Sequence, residues 1–143
     1  MDEVYEGHGI RFRYPAAWQL AEQEDGKSTC ITVSSPETSF WSISLFPEGP
    51  SPEQVIASAV EAFRDEYDEV DVYPSDVQTG NRAGAAIDVD FVCFELISSA
   101  FLRSFRTNGL TVLVLYQGFD GELTETRPIL EVISASLALE GED

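Results

Sequence analysis

Basic side chains are scarce in this chain: eight Lys and Arg stand against 26 Asp and Glu, a formal net charge of −18. Lys27 is the sole lysine, and the other cations are arginines. Binding a polyanion requires Lys and Arg to displace its counterions, so this balance excludes nucleic acid as the main partner. It disfavours an anionic membrane surface for the same reason. What remains is a solvated acidic surface, a salt-rich setting or a protein partner with a basic surface. Histidine is nearly absent too. His8 stands alone, without the partners that a catalytic relay or a histidine-built metal site needs, and reads as a surface residue. The two cysteines, Cys30 and Cys93, each fall within an apolar run. Both are expected to be reduced and buried, since a disulfide would require neighbouring strands with suitable geometry. No stretch approaches ~18 consecutive apolar residues, the length of a membrane span. The opening Met1–Glu6 lacks the basic start and apolar run of a secretory signal. The expectation is a cytoplasmic monomer.

What is present suits one globular domain over 1–143, with a core at about 9–138 and loose ends at 1–8 and 139–143. Hydrophobic residues make up 43% of the chain, enough for a core without metal or disulfide support. Ile10, Phe12 and Tyr14 alternate with Arg11 and Arg13, the period-2 pattern of a half-buried strand that Pro15 ends. An extended run restarts at Trp18, and Glu22 to Ser28 reads as a polar turn. Thr29–Ser34 and Phe40–Phe46 read as a hairpin, with Trp41, Ile43 and Leu45 on one face.

The strongest helix signal follows Pro47-Glu48-Gly49-Pro50. Ser51 suits the N-cap, Pro52 the first helical position, and Gln54 completes a capping box. Val55, Ile56, Ala59, Val60 and Phe63 then recur on one helical face. Beyond it, 70–77 reads as a strand broken by Pro74, with Thr79-Gly80-Asn81 as a turn. Ala85 to Leu96 reads as one long strand. Ser99–Thr107 and Leu110–Tyr116 flank Asn108-Gly109, a strong hairpin signal. The near-continuous apolar run from Leu110 predicts a strand covered on both faces. A final helix is expected to begin between Gly121 and Thr126, capped by Thr124 or Thr126, with Pro128 in its first turn. Ile129, Val132, Ile133 and Leu137 are its expected buried stripe. An antiparallel sheet with one central and one terminal helix gives an α+β class, an α/β/α sandwich.

The frame Gly9-Ile10-Arg11-Phe12-Arg13-Tyr14-Pro15-Ala16-Ala17-Trp18 and the closing Ile129–Leu137 resemble the PsbP-like superfamily over roughly 9–138. That superfamily includes extrinsic photosystem II subunits, a Ran-binding nuclear import factor and bacterial proteins of unknown role. The resemblance implies the same α/β/α architecture and a role in binding other proteins, and it carries over no site residue.

Chemistry-bearing constellations are few. Asp88 and Asp90 project from one strand face; such a pair serves a cation or acid–base chemistry, or is a solvated face, and the solvated face is expected. Asp65, Glu66, Asp68, Glu69 and Asp71 crowd into seven positions. They read as a frayed helix end and solvated turn, or as docking residues for a basic partner. Gly118-Phe119-Asp120-Gly121 matches no phosphate or dinucleotide loop, and Ser34-Ser35 and Ser98-Ser99 lack a nucleophile-elbow setting. Trp18, Trp41 and Tyr116 read as core aromatics. The expected function is therefore a non-enzymatic binding or accessory module with a protein partner and no cofactor or metal. The alternative is a small-ligand or cation-binding protein with a pocket at the sheet edge.

Overall fold

The computed structural model describes residues 2–80 and 82–141. Among these residues ten strands and two helices form an α+β domain built on antiparallel pairing. Strands β3 (Gln19–Asp25), β4 (Ser28–Ser34), β5 (Phe40–Pro47), β6 (Asp68–Pro74), β7 (Gly84–Cys93), β8 (Leu96–Thr107) and β9 (Leu110–Phe119) make a seven-stranded sheet in the order β3-β4-β5-β9-β8-β7-β6. A second sheet joins β1 (Asp2–Gly7), β2 (Ile10–Pro15) and β10 (Ala138–Leu139), with β2 in the middle.

The central strand β9 is covered on both faces, as its apolar run predicts. Val112, Val114 and Tyr116 enter a core with Phe12, Trp41, Leu130 and Ile133. Leu113 and Leu115 alternate onto the other face, against Ile56 and Phe63 of helix α1 (Pro52–Glu66). Helix α1 begins as its sequence dictates. The Ser51 hydroxyl accepts from Gln54 N, and the Gln54 side chain accepts from Ser51 N, satisfying two orphan donors. Trp18, Trp41 and Tyr116 are core aromatics, and Trp41 Nε1 donates to Ser134 Oγ at 2.8 Å.

Several expectations change. Residues 2–7, read as loose, form β1 along the whole length of β2. The supposed polar turn at 22–28 is mostly strand: β3 runs to Asp25, leaving Gly26-Lys27 as the connection. An exposed edge strand carries polar residues on both faces, so its composition mimics a loop. The strand read as Ala85–Leu96 ends at Cys93, and Leu96 already belongs to the next one. Cys93 pairs with Leu96, and Phe94-Glu95 is a two-residue turn with both φ values positive, at 50° and 65°. The broken strand at 70–77 ends at Pro74 instead and begins at Asp68. The Thr79–Asn81 turn retains Gly80 at φ 65°, while Asn81 lies outside the described residues.

Helix α2 spans Asp120–Ser136, so Pro128 sits mid-helix and neither Thr124 nor Thr126 caps it. The buried stripe runs through Leu123, Thr126, Leu130, Ile133 and Ser134 to Leu137 beyond the helix end, so Ile133 and Leu137 are buried as expected while Ile129 and Val132 are exposed. The C-terminal segment is not loose at its start: Leu139 is buried in β10 and Glu140 N donates to Gly9 O at 2.8 Å. Glu142 and Asp143 lie outside the described residues. Cys30 and Cys93 are both free and half-buried rather than fully buried. They lie on β4 and β7, with three strands between, a span of roughly 19 Å at ~4.8 Å per strand, far beyond disulfide reach. No helix among the described residues is long and apolar enough to cross a membrane.

Candidate functional site

The acidic run lies where α1 passes into the edge strand β6. The helix ends at Glu66, and Tyr67 N donates to Phe63 O at 2.9 Å. The Tyr67 ring holds this corner down, 4.5 Å from the Phe91 ring and 5.8 Å from Phe63, centre to centre. Burial pushes the Tyr67 hydroxyl pKa up, helped by Cys93 and Glu66. Asp65, Glu66, Asp68, Glu69 and Asp71 are all exposed. The last three are not in a solvated turn. They stand on the outermost strand, where the β6–β7 register slips between Asp68 and Asp71 and Glu69 takes φ 52°. None of the five carboxylates has an ion-pair partner among the described residues.

Asp88 and Asp90 do share a face, but it is not a solvated one. Asp88 Oδ1 lies 3.0 Å from Nη1 of Arg103, whose side chain is 5% exposed. The same Nη1 donates to Ile87 O at 2.9 Å and Leu102 O at 3.0 Å. A buried guanidinium requires such a counter-charge. Asp90 Oδ1 instead lies 3.0 Å from Ser99 Oγ, which is also 2.8 Å from Asp120 Oδ1. The two aspartates thus have separate partners and form neither a shared cation site nor an acid–base pair. Beside Arg103 is a cavity of about 120 Å³ with Thr79, Tyr116, Glu131 and Ser134 in its lining. Burial raises the Tyr116 pKa while Arg103 opposes it, so its hydroxyl remains a neutral donor. The cavity has room for a few ordered waters.

His8 is exposed, as expected of a surface residue, yet it has company. The β1–β2 turn carries it to the edge strand β3, with Nε2 3.2 Å from Glu22 Oε2 and 3.5 Å from Glu24 Oε1. The Tyr5 hydroxyl also donates to Glu22. Together with His8 this pulls the Glu22 pKa down, while burial and Glu22 push the Tyr5 pKa up. One imidazole and two carboxylates within 4.8 Å are a donor set that a divalent transition metal accepts. All three are exposed, and Tyr5 and His8 already satisfy Glu22, so the group is complete as a hydrogen-bonded array.

Glu122 is the most enclosed carboxylate. It accepts from Ser35 Oγ at 2.8 Å, from Thr38 N at 2.9 Å and from the Thr38 hydroxyl. Burial pushes its pKa up, but the bonds from Thr38 and Ser35 outweigh it and the net shift is downward. Its place in the first turn of α2 favours the anion further. The arrangement fastens the 35–39 loop to the start of α2. A shallow groove of about 280 Å³ between β2 and α2 has Tyr14, Pro15, Ile129 and Val132 in its wall.

Sequence reasoning brought forward the acidic run and the paired aspartates. It did not find Arg103, Glu122 or the Tyr5–His8–Glu22–Glu24 group. It also passed over the Phe94-Glu95 turn, where Phe94 is 94% exposed. Arg103 alone left a trace: an arginine between inward-facing Phe101 and Phe105.

No family model and no curated protein matches this chain. Solved structures do. A Bacteroides thetaiotaomicron protein aligns with a TM-score of 0.59 at 17% identity, over 99% of this chain and 48% of its own. This chain therefore spans about half the length of that protein. A Pseudomonas aeruginosa protein of unknown function, described as a putative regulator, aligns with a TM-score of 0.59 at 14% identity over 99% of both chains. Cyanobacterial PsbP from Synechocystis sp. PCC 6803 aligns with a TM-score of 0.57 at 10% identity, over 96% of this chain and 92% of its own. What this chain has in common with them, at such identities, is its architecture: the fold is PsbP-like.

Proposed function

We propose that this protein is a non-enzymatic binding module that docks a protein partner with a basic surface. The docking residues are Asp65, Glu66, Asp68, Glu69 and Asp71. The observation behind this reading is the exposed, unpaired strip they form along the α1 end and the β6 edge. An edge strand offers unpaired backbone groups as well as side chains, a surface to which a basic segment can add by strand pairing. Charges on an edge also deter self-association, which accounts for Glu22, Glu24 and Asp25 on the opposite edge, β3. The layer order we propose is α1, the seven-stranded sheet, then α2 with the small sheet, an α/β/α sandwich that leaves the β6 edge open.

Affinity capture from native lysate at low and high salt tests the reading. The bait is compared with a variant carrying Asp65→Asn, Glu66→Gln, Asp68→Asn, Glu69→Gln and Asp71→Asn. A partner recovered at low salt, lost at high salt and lost with the variant supports docking through this strip. Equal recovery by the folded variant removes it.

A further inference from the structure

Three two-residue hairpin turns place both central residues at or near the left-handed region. In His8-Gly9 the φ values are 54° and 79°, and in Asn108-Gly109 they are 49° and 76°. These pairs contain the residues that such a turn favours. Phe94-Glu95 contains neither Gly nor Asn, and its φ values are 50° and 65°. A bulky L-residue there is strained. Phe94 does not recover that cost by packing, because it is 94% exposed. Leu96 and Ile97 follow it at 45% and 62% exposed. Alternation puts Leu96 on the α1 side of the hairpin and Ile97 on the other, with Phe94 at the apex. The tip is thus apolar from both sides and serves no core.

Its surroundings are acidic. Glu95 is in the turn itself. Asp68 pairs with Val92, two residues before Phe94, which brings the start of β6, next to Asp65 and Glu66 at the α1 end, alongside the tip. Across the hairpin, Ser99 joins Asp90 to Asp120. Arg64, the neighbouring cation, donates to Val70 O at 3.5 Å. An apolar projection inside a collar of carboxylates is complementary to an apolar stripe flanked by Lys and Arg. An anionic bilayer would be repelled by the same collar.

We propose that the β7–β8 tip, Phe94, Leu96 and Ile97, is the apolar anchor of the docking site and seats on a cationic amphipathic segment of a partner protein. This rests on the acidic-docking reading and adds to it the side chains that hold the partner. Phe94 is the anchor; the carboxylates steer the approach and fix its orientation.

The probe is a synthetic Leu/Lys amphipathic peptide of about 18 residues, long enough to form a helix. It is titrated into the full ¹⁵N-labelled chain at low salt, beside phosphatidylcholine vesicles. Amide shifts should concentrate at 65–71 and 91–98. A Phe94→Ser/Ile97→Ser variant should bind about tenfold more weakly or worse. Because both side chains are exposed, the fold should survive, and the amide spectrum of the variant checks that. Shifts as large along Glu22, Glu24 and Asp25 as at the tip would overturn the proposal. So would binding to the vesicles but not to the peptide, or no binding to either. The variants separate the two readings. If neutralising Asp65, Glu66, Asp68 and Glu69 abolishes binding while the Ser variant keeps it, the anchor falls and acidic docking stands. If only the Ser variant loses binding, the tip binds without the carboxylates, and acidic docking falls together with the proposal that rests on it. Loss in both supports both, and loss in neither removes both.

Discussion

Phe94 and Asn108 occupy the same position in equivalent hairpin turns, with φ of 50° and 49°. Asn tolerates that conformation through its short polar side chain, and phenylalanine does not. Replacing Phe94-Glu95 by Asn-Gly should therefore stabilise the fold by about 1–2 kcal/mol. In a domain of this length the melting temperature should rise by roughly 3–7 °C. Calorimetry on the double variant checks this. An unchanged or lower melting point would mean the turn is not strained.

Arg103 and Asp88 differ in how well water can replace a lost partner. Arg103 is buried, while the Asp88 side chain is 33% exposed. Asp88→Ala should therefore cost about 3 kcal/mol, because it leaves a guanidinium buried without its counter-charge. Arg103→Met keeps the volume and lets Asp88 hydrate, and should cost about 1 kcal/mol. Denaturant unfolding of both variants tests the asymmetry, and the reverse order would contradict it.

Glu122 ties stability to pH. Its folded pKa lies below its unfolded one, so its contribution is complete above the unfolded pKa. It is lost as pH falls through the folded value. Glu122→Gln should destabilise the fold by about 1–2 kcal/mol at pH 7, where charge-assisted bonds to Thr38 and Ser35 are lost. The gap between wild type and variant should close as pH falls below the carboxylate range. A gap independent of pH would show that charge at Glu122 contributes nothing.

Net charge sets a salt response. At −18 the folded chain repels itself, and added monovalent salt screens that repulsion. Melting temperature should rise between roughly 10 and 200 mM salt, as the Debye length shrinks from about 30 Å to under 10 Å. Thermal unfolding across a salt series measures it. A flat or falling curve would mean that the acidic edges do not strain the fold.

What the sequence made legible follows from how local each signal is. Ser51, Pro52 and Gln54 specify the start of α1 within four residues, and Asn108-Gly109 specifies a turn in two. Period-2 alternation revealed β2, β4 and β5. Phe94-Glu95 carried no turn residue, so the strand that ends at Cys93 read on to Leu96 and β8 read as starting at Ser99. Helix α2 lacks a side-chain cap, and Pro128 suggested too late a start. The acidic strip was legible as composition, but its place on an edge strand depends on the sheet order. Arg103–Asp88 and the Glu122 network join residues far apart in sequence. Only the strand register and the docking of α2 bring them together.

Strand β2 lies between β1, made immediately before it, and β10, made after every other strand of both sheets. During synthesis Ile10–Pro15 precedes Ala138 and Leu139, and one side of it stays unpaired until they arrive. Phe12, among the most deeply enclosed side chains, waits with it for Leu130 and Ile133. A nascent chain therefore leaves this side of β2 open to other chains while the segment between β2 and β10 is made. Final closure depends on a contact between distant segments, the kind that makes folding slow and leaves intermediates open to misassembly.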